Sequence, residues 1–440
     1  MKLNEQSLMP PQASLWKASA GDTPHYPPPV DAQGVDVLVV GAGYCGLSAA
    51  IALRDAGATV AVVDAGQPGN GGSGRNGGQV WPGLKMLPAD MRRRFGQEAG
   101  ERMARLTARS ADSVFDLVQR FGIACEAQRS GVIRAAHSAA ALQSMTREAE
   151  QWRAAGDEIE LLDQAAVQRA VGSPRYLGGL WHKRGGAVHP LRYATGLAEA
   201  ARRQGALVFG DALVTGMHRE GRRWVLHFER TPGRPQLQAE QVLIATDAYT
   251  PDGLLPGLAQ SLIPLFSFQV ATRPLADSEW AGVCPGEQPV SDSQRLLRYF
   301  RRGPGQRLLM GGRAPFKEQP SLADAPRLRA YVREVFPALA GVELEYCWGG
   351  RVGMTTDHIP RLTRPAQGVV AALGYNGFGV AMATLLGQQA AGLMRRESSP
   401  QAPTSAFPPT VLKPIPMHAL HMLPVRALIA LYTLQETLSL

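Results

Sequence analysis

Cysteine is scarce in this sequence: the 440 residues include four, at positions 45, 125, 284 and 347. No two of them form a CxxC pair, and none has a histidine neighbour at the spacing of a zinc site. This pattern is typical of free thiols in a reducing compartment, and it predicts neither a disulfide framework nor a bound metal.

Long apolar runs are missing as well. The first 29 residues contain many prolines and no stretch that could form the centre of a signal peptide. We therefore expect no secretory leader, an extended N-terminal arm over residues 1–29 and a cytoplasmic protein. The remaining chain is long enough for two domains or one large discontinuous domain, and 45% hydrophobic residues suffice for sizeable cores.

Lysine is also rare, with six residues against 40 arginines, and the formal net charge is +9. Apart from Arg92, Arg93 and Arg94, the basic residues stand in ones and twos among acidic ones. A nucleic-acid-binding face needs a basic stripe with aromatic platforms. The dispersed charge instead indicates an ordinary solvated surface and argues against a nucleic-acid partner.

The most informative stretch that is present runs from Val35 to Asp64, in the order strand, glycine turn, helix, strand. Its turn has GxGxxG spacing, in which the first glycine permits the tight turn, the second lets the backbone approach a pyrophosphate, and the third lets the helix pack on the strand. Asp64 follows about 20 residues later, where a carboxylate binds ribose hydroxyls and disfavours a 2′-phosphate. The predicted dinucleotide contacts are Gly41, Gly43, Tyr44, Cys45, Gly46, Asp64 and Ala65.

The glycine turn alone is compatible with FAD or NAD, and the glycine-rich segment that follows indicates that the dinucleotide is FAD. Six of the eleven residues 69–79 are glycine, which frees the backbone to wrap a ligand, unless the segment is only a flexible surface loop. It resembles the SGRNGG-like loop of the D-amino-acid oxidase and glycine oxidase family of FAD enzymes. The resemblance implies flavin contacts, and because the loop has no His or Cys we expect non-covalent attachment. The residues implied are Ser73, Gly74, Arg75, Asn76, Gly77, Gly78 and Gln79.

The resemblance also implies an α/β fold in two parts. One part is a Rossmann-type FAD-binding domain, assigned to residues 30–122, 187–260 and 346–398. The other is a discontinuous substrate domain of α+β type, assigned to residues 123–186 and 261–345. The alternating pattern of residues 261–313 predicts that an antiparallel sheet forms this second part.

Three later segments are similar to flavin-contacting segments of the family. Residues 206–214 resemble a strand that ends near the adenine, and residues 242–249 resemble an ATGA fingerprint in which Asp247 replaces the glycine. Residues 369–380 resemble a closing strand and helix, whose positive N-terminus would stabilise negative charge on the flavin. The cofactor contacts implied are Val214, Ala245, Gly374, Gly377, Phe378, Gly379 and Val380.

The sequence contains no second unit made of a strand, a GxGxxG turn and a helix, so a pyridine-nucleotide site is not expected. This disfavours NADPH-dependent hydroxylases and reductases. In the family that the chain resembles, the carbon of a C–N bond gives a hydride to flavin N5, and the imine hydrolyses to a carbonyl product. The partners implied are a small amine or amino acid as donor and oxygen or a quinone as acceptor.

Two departures from the family bear on the substrate. Relatives that bind amino acids often have an arginine two residues after the glycine of a WxGxR segment, where this chain has Val352 and the arginine is displaced to Arg351. The sarcosine-oxidase branch has a carboxylate-binding lysine where this chain has Val380. The chain is most similar to the gamma-glutamylputrescine oxidoreductase branch, which oxidises the free amine of a modified polyamine, although Phe378 replaces the usual histidine.

Two alternatives stay open from the sequence. An amino-acid or cyclic imino-acid oxidase would bind its carboxylate with Arg351 or with an arginine from residues 298–301. A tRNA-modifying flavoenzyme, which occurs among relatives of this fold, would suit the positive charge but not its dispersal.

Four residues are candidates for the chemistry itself. Tyr299 belongs to an aromatic and cationic patch that we expect over the flavin, unless it is an ordinary amphipathic strand. Arg351 and Phe378 follow from the family patterns. Lys85 comes soon after the glycine-rich loop and is a candidate cation for the oxygen reaction, with a surface lysine as the alternative. His189 precedes a proline at a helix start, and we expect a structural role for it.

Residues 399–440 form a predicted C-terminal tail. The first part is rich in proline and polar residues, whereas residues 424–436 repeat apolar side chains at helical spacing. Such an amphipathic helix is too short to cross a bilayer. We expect it to dock on the protein's own surface, because Arg426 is its one cation. The alternative is a peripheral contact with the inner membrane face, which would bring the flavin to the quinone pool.

Overall fold

Hydrogen bonding between strands divides most of the chain between two large sheets. The computed structural model describes residues 14–30, 33–229, 236–313, 319–398 and 405–437, and within these ranges it contains eighteen β-strands and twelve α-helices. In chain order the strands are β1 (Gln33–Val40), β2 (Val60–Val63), β3 (Gln79–Val80), β4 (Val132–Ala136), β5 (Ile159–Leu162), β6 (Gly178–His182), β7 (Gly186–Ala187), β8 (Leu207–Phe209), β9 (Val214–Glu220), β10 (Arg223–Phe228), β11 (Leu237–Ile244), β12 (Ile263–Thr272), β13 (Val290–Asp292), β14 (Arg298–Gly303), β15 (Arg307–Arg313), β16 (Leu344–Met354), β17 (Arg361–Ala366) and β18 (Val369–Leu373). The helices are α1 (Leu15–Ser19), α2 (Tyr44–Asp55), α3 (Pro88–Phe95), α4 (Gln97–Ala108), α5 (Asp112–Phe121), α6 (Ala139–Ala154), α7 (Gln164–Val171), α8 (Pro190–Arg203), α9 (Asp277–Ala281), α10 (Pro326–Val335), α11 (Gly379–Ser398) and α12 (Met422–Thr437).

The first sheet is parallel at its centre. Strands β18, β11, β1, β2 and β8 lie side by side in that order and run parallel. Strand β17 pairs antiparallel with β18 at one edge, and β9 and β10 extend the sheet from β11 as an antiparallel pair. Crossover connections put the glycine turn and the loops after β2, β11 and β18 at the same edge of this sheet.

Both faces of the first sheet are buried, which explains its near-continuous apolar strands. Along β1, Val37 and Val39 pack in a core with α2, α8 and α11. The alternate residues Leu38 and Val40 pack in another core with β9, β10 and the segment around residues 254–262.

The second sheet has the order β16, β12, β15, β14, β13, β4, β6, β5. Its neighbours are antiparallel except β13 and β4, which run parallel, so the predicted antiparallel sheet contains one parallel pair. One face packs on α10 through buried side chains that include Phe268, Phe300 and Met310. The opposite face is turned toward the carboxyl edge of the first sheet.

The predicted domain division places residues 346–354 in the FAD-binding part. The backbone of β16 pairs along its length with β12, which belongs to the second sheet. We therefore propose that the last crossing between the two parts lies between residues 354 and 361, where β17 begins. Within this sheet Gly349 leaves space for the ring of Phe268 on the neighbouring strand, because a Cβ at Gly349 would lie 2.7 Å from that ring.

Helix α12 in the C-terminal tail has an inward and an outward side. Just before it, His418 Nε2 lies 2.8 Å from the carbonyl oxygen of Leu262, and within it the Tyr432 ring lies under the guanidinium of Arg295. Leucines on the other side are solvent-exposed, with Leu423 at 63% and Leu431 at 49%. Within the described ranges, none of the helices combines the length and apolar character that a membrane crossing needs.

Helices α2 and α11 lie in close contact, and this contact depends on Gly387. A Cβ atom at Gly387 would lie 2.2 Å from both the carbonyl oxygen of Cys45 and Oγ of Ser48. The Ser48 hydroxyl also donates to the carbonyl oxygen of Thr384, so the two backbones are held together by a buried hydrogen bond. Side chains larger than hydrogen would push the helices apart.

Replacing Gly387 with alanine should therefore destabilise the protein by about 1–3 kcal/mol through overpacking. Gly392 in the same helix provides a matched control, because a Cβ there meets nothing within 4 Å. Gly392→Ala should be neutral or stabilising by up to about 1 kcal/mol. Urea unfolding of both variants measures the difference, and equal midpoints would contradict this account of the α2–α11 contact.

Candidate active site

A cavity of about 840 Å3 lies where the carboxyl edge of the first sheet meets the inner face of the second. Ligands of open α/β sheets bind at this edge, where loops between strands and helices diverge. The cavity is lined by the glycine turn after β1, the loop after β2, the end of β11 and the start of α11, together with residues of β12, β13, β14 and β16. The two parts of the fold thus contribute opposite walls of one site.

The glycine turn after β1 has the geometry that the spacing predicts. Gly41 has a φ of +111°, and a Cβ there would lie 2.7 Å from the carbonyl oxygen of Ala245 on the neighbouring strand end. At Gly46 a Cβ would lie 1.9 Å from the Gly41 carbonyl oxygen, so α2 can lie against β1 only with glycine there. Gly43 precedes α2 without a side-chain cap, so the helix N-terminus faces the cavity.

A second helix begins at the same cavity. Residues Gly377, Phe378, Gly379 and Val380, at the start of α11, all line it. Because α11 packs beside α2, the positive ends of both helix dipoles lie on one side of the cavity. Phosphate groups or an electron-rich ring bound there would gain favourable electrostatic interactions.

Asp64 lies at the end of β2 and lines the cavity. One carboxylate oxygen accepts the backbone N–H of Ala42 at 2.6 Å, and the other accepts that of Gly66 at 3.0 Å. Burial raises the pKa of Asp64 to about 6 against the opposing effect of these two hydrogen bonds. Each oxygen keeps a second lone pair with which it can accept a hydroxyl.

The polar side chains of the glycine-rich loop fold the loop itself. The Asn76 amide donates to the Tyr44 hydroxyl and to the carbonyl oxygens of Gly72 and Ser73. The Gln79 amide donates to carbonyl oxygens of β13 and β14, and its oxygen accepts from Trp81 and Ser291. Both residues line the cavity, and their amides also hold protein segments together.

Side chains from distant parts of the chain bind the carbonyl groups of the same loop. The Arg75 carbonyl accepts Gln269 Nε2 at 2.8 Å and Trp348 Nε1 at 3.0 Å, both from the second sheet. The Asn76 carbonyl accepts Nε1 of Trp16 in α1 at 2.8 Å. The glycine-rich loop is thereby fixed against the second sheet and the N-terminal segment.

Four predicted cofactor contacts, Gly46, Gly74, Gly78 and Gly374, do not line the cavity. At these four positions the chain packs so closely against neighbouring atoms that a Cβ would have no space. A Cβ at Gly74 would lie 2.3 Å from the Gly69 carbonyl oxygen, and one at Gly78 would lie 2.2 Å from that of Val188. They shape the cavity from behind, whereas the remaining predicted cofactor contacts face it.

The wall formed by the second sheet contains an inner row of side chains. Gln269, Tyr299, Ser291 and Arg134 stand side by side on adjacent strands and line the cavity, with Gly311 between the first two. The Tyr299 ring covers Gly311 and lies next to Gly77 of the glycine-rich loop. Its hydroxyl is 2.7 Å from Ser267 Oγ, and burial raises its pKa to about 12, so it stays protonated at neutral pH.

The other predicted catalytic residues occupy different parts of the cavity. Alternation along β16 puts Val352 on the side of the sheet that carries Ser267, whereas Arg351 belongs to the opposite side. The Arg351 guanidinium lies 5.4 Å from the Tyr249 ring centre at the cavity edge. Phe378 is half-buried at the start of α11, and Lys85 is exposed at the cavity rim.

His189 has the structural role expected for it. Its Nδ1 accepts the backbone N–H of Arg192 and caps α8, and Nε2 lies 3.1 Å from Ser19 Oγ. The ring is fully buried against Trp16 and does not line the cavity. Burial, with Arg192 and Arg301 nearby, lowers its pKa to about 4, so the ring is neutral.

Asp247 is a site residue that sequence reasoning noticed without giving it a role. It has a φ of +44°, in the left-handed region that favours glycine, which is the residue of the ATGA fingerprint that this segment resembles. Its carboxylate accepts the backbone N–H groups of Gly374, at 2.7 Å, and of Gly353, at 3.3 Å. It thus joins the end of β18 in the first sheet to β16 in the second, directly at the cavity.

Charged side chains at the far end of the cavity were also missed. Arg134 of β4 and Glu148 of α6 form an ion pair at 2.7 Å, and both line the cavity. Nearby on β6, His182 Nδ1 lies 2.8 Å from Asp157. Nothing in the local sequence marks these residues, because their proximity depends on the pairing of β4 with β6 and β13. Among the described residues, no cluster of His, Cys, Asp and Glu is arranged to hold a metal ion.

Comparisons with known proteins agree with this geometry. Residues 36–393 match the DAO family, described as FAD dependent oxidoreductase. The gamma-glutamylputrescine oxidoreductase of Escherichia coli (strain K12) is 32% identical over 365 residues, covering 82% of this chain and 84% of the relative. A protein of Rhizobium meliloti (strain 1021) named "Probable oxidoreductase OrdL" is 30% identical over 401 residues, covering 90% of this chain and 91% of the relative.

Solved structures show the same fold. The crystal structure of glycine oxidase from Geobacillus kaustophilus superimposes with a TM-score of 0.70 at 22% identity, covering 86% of this chain and 99% of that one. The predicted α/β fold class and the FAD cofactor are thus confirmed. The match over residues 36–393 and the identity to curated relatives show that this chain belongs to the DAO family of FAD-dependent oxidoreductases and acts on amines or amino acids.

Proposed function

We propose that FAD binds with its pyrophosphate at the N-terminus of α2 and its ring between the start of α11 and the inner row of the second sheet. Gly43 supports this because it has no side chain to cap α2, and a Cβ there would come within 2.8 Å of Ser73 Oγ. The Tyr44 N–H at the start of the helix donates to the same Ser73 Oγ at 3.1 Å, which holds the glycine-rich loop at this N-terminus. Asp64 would accept the ribose hydroxyls. The absence of His and Cys from residues 69–79 supports non-covalent attachment.

The reaction proposed is oxidation of the C–N bond of a primary amine, with a polyamine derivative such as gamma-glutamylputrescine as substrate. FAD supplies a hydride acceptor, and the imine formed from the substrate takes up water and releases ammonia and an aldehyde. Oxygen or a quinone would then accept the electrons, and Lys85 at the rim is the candidate cation for the oxygen reaction. The similarity to the Escherichia coli enzyme supports this substrate class.

The observation that carries the choice of an amine is the position of Val352. This position, where amino-acid-binding relatives often have arginine, lies on the cavity-facing side of β16 opposite Leu265. A valine there offers an apolar contact and no partner for a substrate carboxylate next to the reacting carbon. A water-poor wall with Tyr299 and Phe378 lowers the pKa of a bound amine and favours the neutral form that reacts.

Arg351 supports one second candidate, an amino-acid or cyclic imino-acid oxidase. Its side chain reaches the cavity edge beside Tyr249, and burial lowers its pKa without removing its positive charge. Arg351 and Val352 lie on opposite faces of β16. A substrate carboxylate bound by Arg351 would therefore lie on the other face of this strand from a carboxylate bound at position 352.

We also propose a peripheral membrane contact through α12. Leu423 and Leu431 are exposed on its outer side, and Leu428 is exposed at its flank, four residues before Tyr432. Together they give the helix an apolar face while Tyr432 contacts Arg295. A membrane interface that contains anionic lipid fits this face and the positive net charge of the chain. Docking and membrane contact would then use opposite sides of one helix.

The affinity of the apoprotein for FAD should fall as the pH falls through about 6. Ribose hydroxyls donate to an ionised carboxylate, so binding favours ionised Asp64, whose pKa in the free site is raised to about 6. Below that pH the dissociation constant should rise by up to roughly tenfold per unit. Fluorescence titration of the apoprotein with FAD at a series of pH values measures this dissociation constant. Asp64→Asn should bind more weakly and without this slope, and an equal slope in the variant would refute the assignment.

Primary amines should reduce the bound flavin faster than α-amino acids do. The test is anaerobic bleaching by gamma-glutamylputrescine, putrescine and N-acetylputrescine in comparison with proline, pipecolate and glycine. Arg351→Ala should leave amine reduction nearly unchanged. Rapid reduction by proline that is lost in Arg351→Ala would favour the second candidate. Admission of air afterwards separates an oxidase, which recovers its colour at once, from a dehydrogenase.

The protein should sediment with vesicles of phosphatidylglycerol and phosphatidylcholine. Replacing Leu423, Leu428 and Leu431 with serine should abolish sedimentation while activity in solution persists. Val411 is 73% exposed outside α12, so Val411→Ser is the matched control and should leave binding intact. If wild type stays in the supernatant at low salt, the membrane contact is wrong.

A further inference from the structure

We propose that the cavity continues into a subsite for a zwitterionic α-amino acid group, formed by Arg134 and Glu148. The inference rests on the amine oxidation proposed above. It makes the substrate an elongated primary amine that carries an amino and a carboxylate group at its other end, as a γ-glutamyl amide of a diamine does. Arg134 would bind the carboxylate, and Glu148 would bind the ammonium.

The pairing of three strands fixes the direction of this subsite. Tyr299 on β14 pairs with Ser291 on β13, and Ser291 pairs with Arg134 on β4. Paired residues point to the same face of a sheet, so the three side chains form a line along the cavity wall. Tyr299 lies beside Gly77 of the glycine-rich loop, at the end where the flavin ring is proposed. Arg134 is therefore the far end of the line.

The distance along this line matches the length of such a substrate. Two strand spacings separate Tyr299 from Arg134, which amounts to about 10 Å. In a γ-glutamyl amide of a four-carbon diamine, eight bonds separate the reacting carbon from the glutamyl α-carbon, and an extended chain of this length spans about 9–10 Å. The reacting carbon can thus lie near Tyr299 while the α-carbon lies at the ion pair.

The charges at the far end suit a zwitterion better than a single charge. The Arg134 and Glu148 side chains are 2.7 Å apart and remain 39% and 19% exposed, so each keeps access to a ligand. A carboxylate on Arg134 and an ammonium on Glu148 would make an alternating array of four charges. A simple diamine would bring its second ammonium toward the Arg134 guanidinium, which repels it. A guanidinium also binds a carboxylate through two parallel hydrogen bonds.

The neighbouring residues give the subsite a wall. Glu148 and Trp152 are four residues apart on α6 and therefore lie on one face of the helix, and both line the cavity. His182 lies on the same face of the sheet as Arg134, on the adjacent strand, and its ring is held by Asp157 and packed edge-on against Trp81. The aromatic side chains of Trp81 and Trp152, which both line the cavity, would cover the methylene chain between the amine and the ion pair.

Steady-state kinetics with three substrates test the subsite in the FAD-loaded enzyme. Gamma-glutamylputrescine has the zwitterion, N-acetylputrescine has the same amide without it, and putrescine has neither. Arg134→Met should raise the KM for gamma-glutamylputrescine by about 10- to 100-fold, as expected for the loss of a charge-assisted hydrogen bond. The KM for N-acetylputrescine and kcat for both should change less than about twofold. Glu148→Gln should give the same pattern.

A second measurement does not depend on turnover. The γ-glutamyl amide of butylamine has the zwitterion but no reacting amine, so it should perturb the flavin spectrum of wild type at lower concentration than N-butylacetamide does. Arg134→Met should remove that preference. Arg202, which pairs with Glu199 on the surface of α8, supplies the control variant Arg202→Met, which should behave as wild type.

The outcomes separate this subsite from the reaction itself. If Arg134→Met weakens both amide substrates equally, or neither, the ion pair is only structural and the subsite is wrong, while amine oxidation stands. If no amine bleaches the flavin of wild type, the proposed reaction fails. The butylamide titration still decides the subsite in that case, because preferential binding that depends on Arg134 supports it and equal binding of the two amides overturns it.

Discussion

The active site depends on contacts that hold one glycine-rich segment, residues 69–79, in a single conformation. Residues 69–79 have few side chains with which to fix their own conformation, and glycine loses more backbone entropy on ordering than other residues. Hydrogen bonds to main-chain carbonyls compensate for this. Trp16, Gln269 and Trp348 donate to two successive carbonyl groups, and Asn76 closes the loop from inside. A cofactor that touches this loop therefore contacts a surface stiffened from three parts of the chain.

The sequence was most informative where function depends on short spacing along the chain. The turn at Gly41, the helix contact at Gly46 and the acid at Asp64 are set by local geometry, and each was predicted in its place. The sequence does not decide the roles of Asn76 and Gln79, because a polar side chain in a loop can bind a ligand or the protein itself, and in the structure both amides donate to main-chain carbonyl groups. Only the neighbours in space decide between these.

Residues brought together by strand register could not be predicted. Arg134 meets Ser291 and Tyr299 only because β4 joins β13 in parallel, a pairing without a signature in a single sequence. The same limit applies to β16, where a shift of one residue exchanges the sides on which Arg351 and Val352 lie. Asp247 was noticed as a departure from a glycine, but its bonds to Gly353 and Gly374 require both sheets to be in place.

Helix α11 also constrains when the protein can acquire its cofactor. During synthesis the glycine turn and α2 emerge more than 300 residues before Gly387 of α11, so their contact forms only after α11 has left the ribosome. Contacts of such large sequence separation form late and slowly. Until then the α2 N-terminus has one open flank, and the buried faces of α2 and β1 lack their cover. The nascent chain therefore needs protection from aggregation, and FAD meets a finished site only after α11 has been synthesised and has packed against α2.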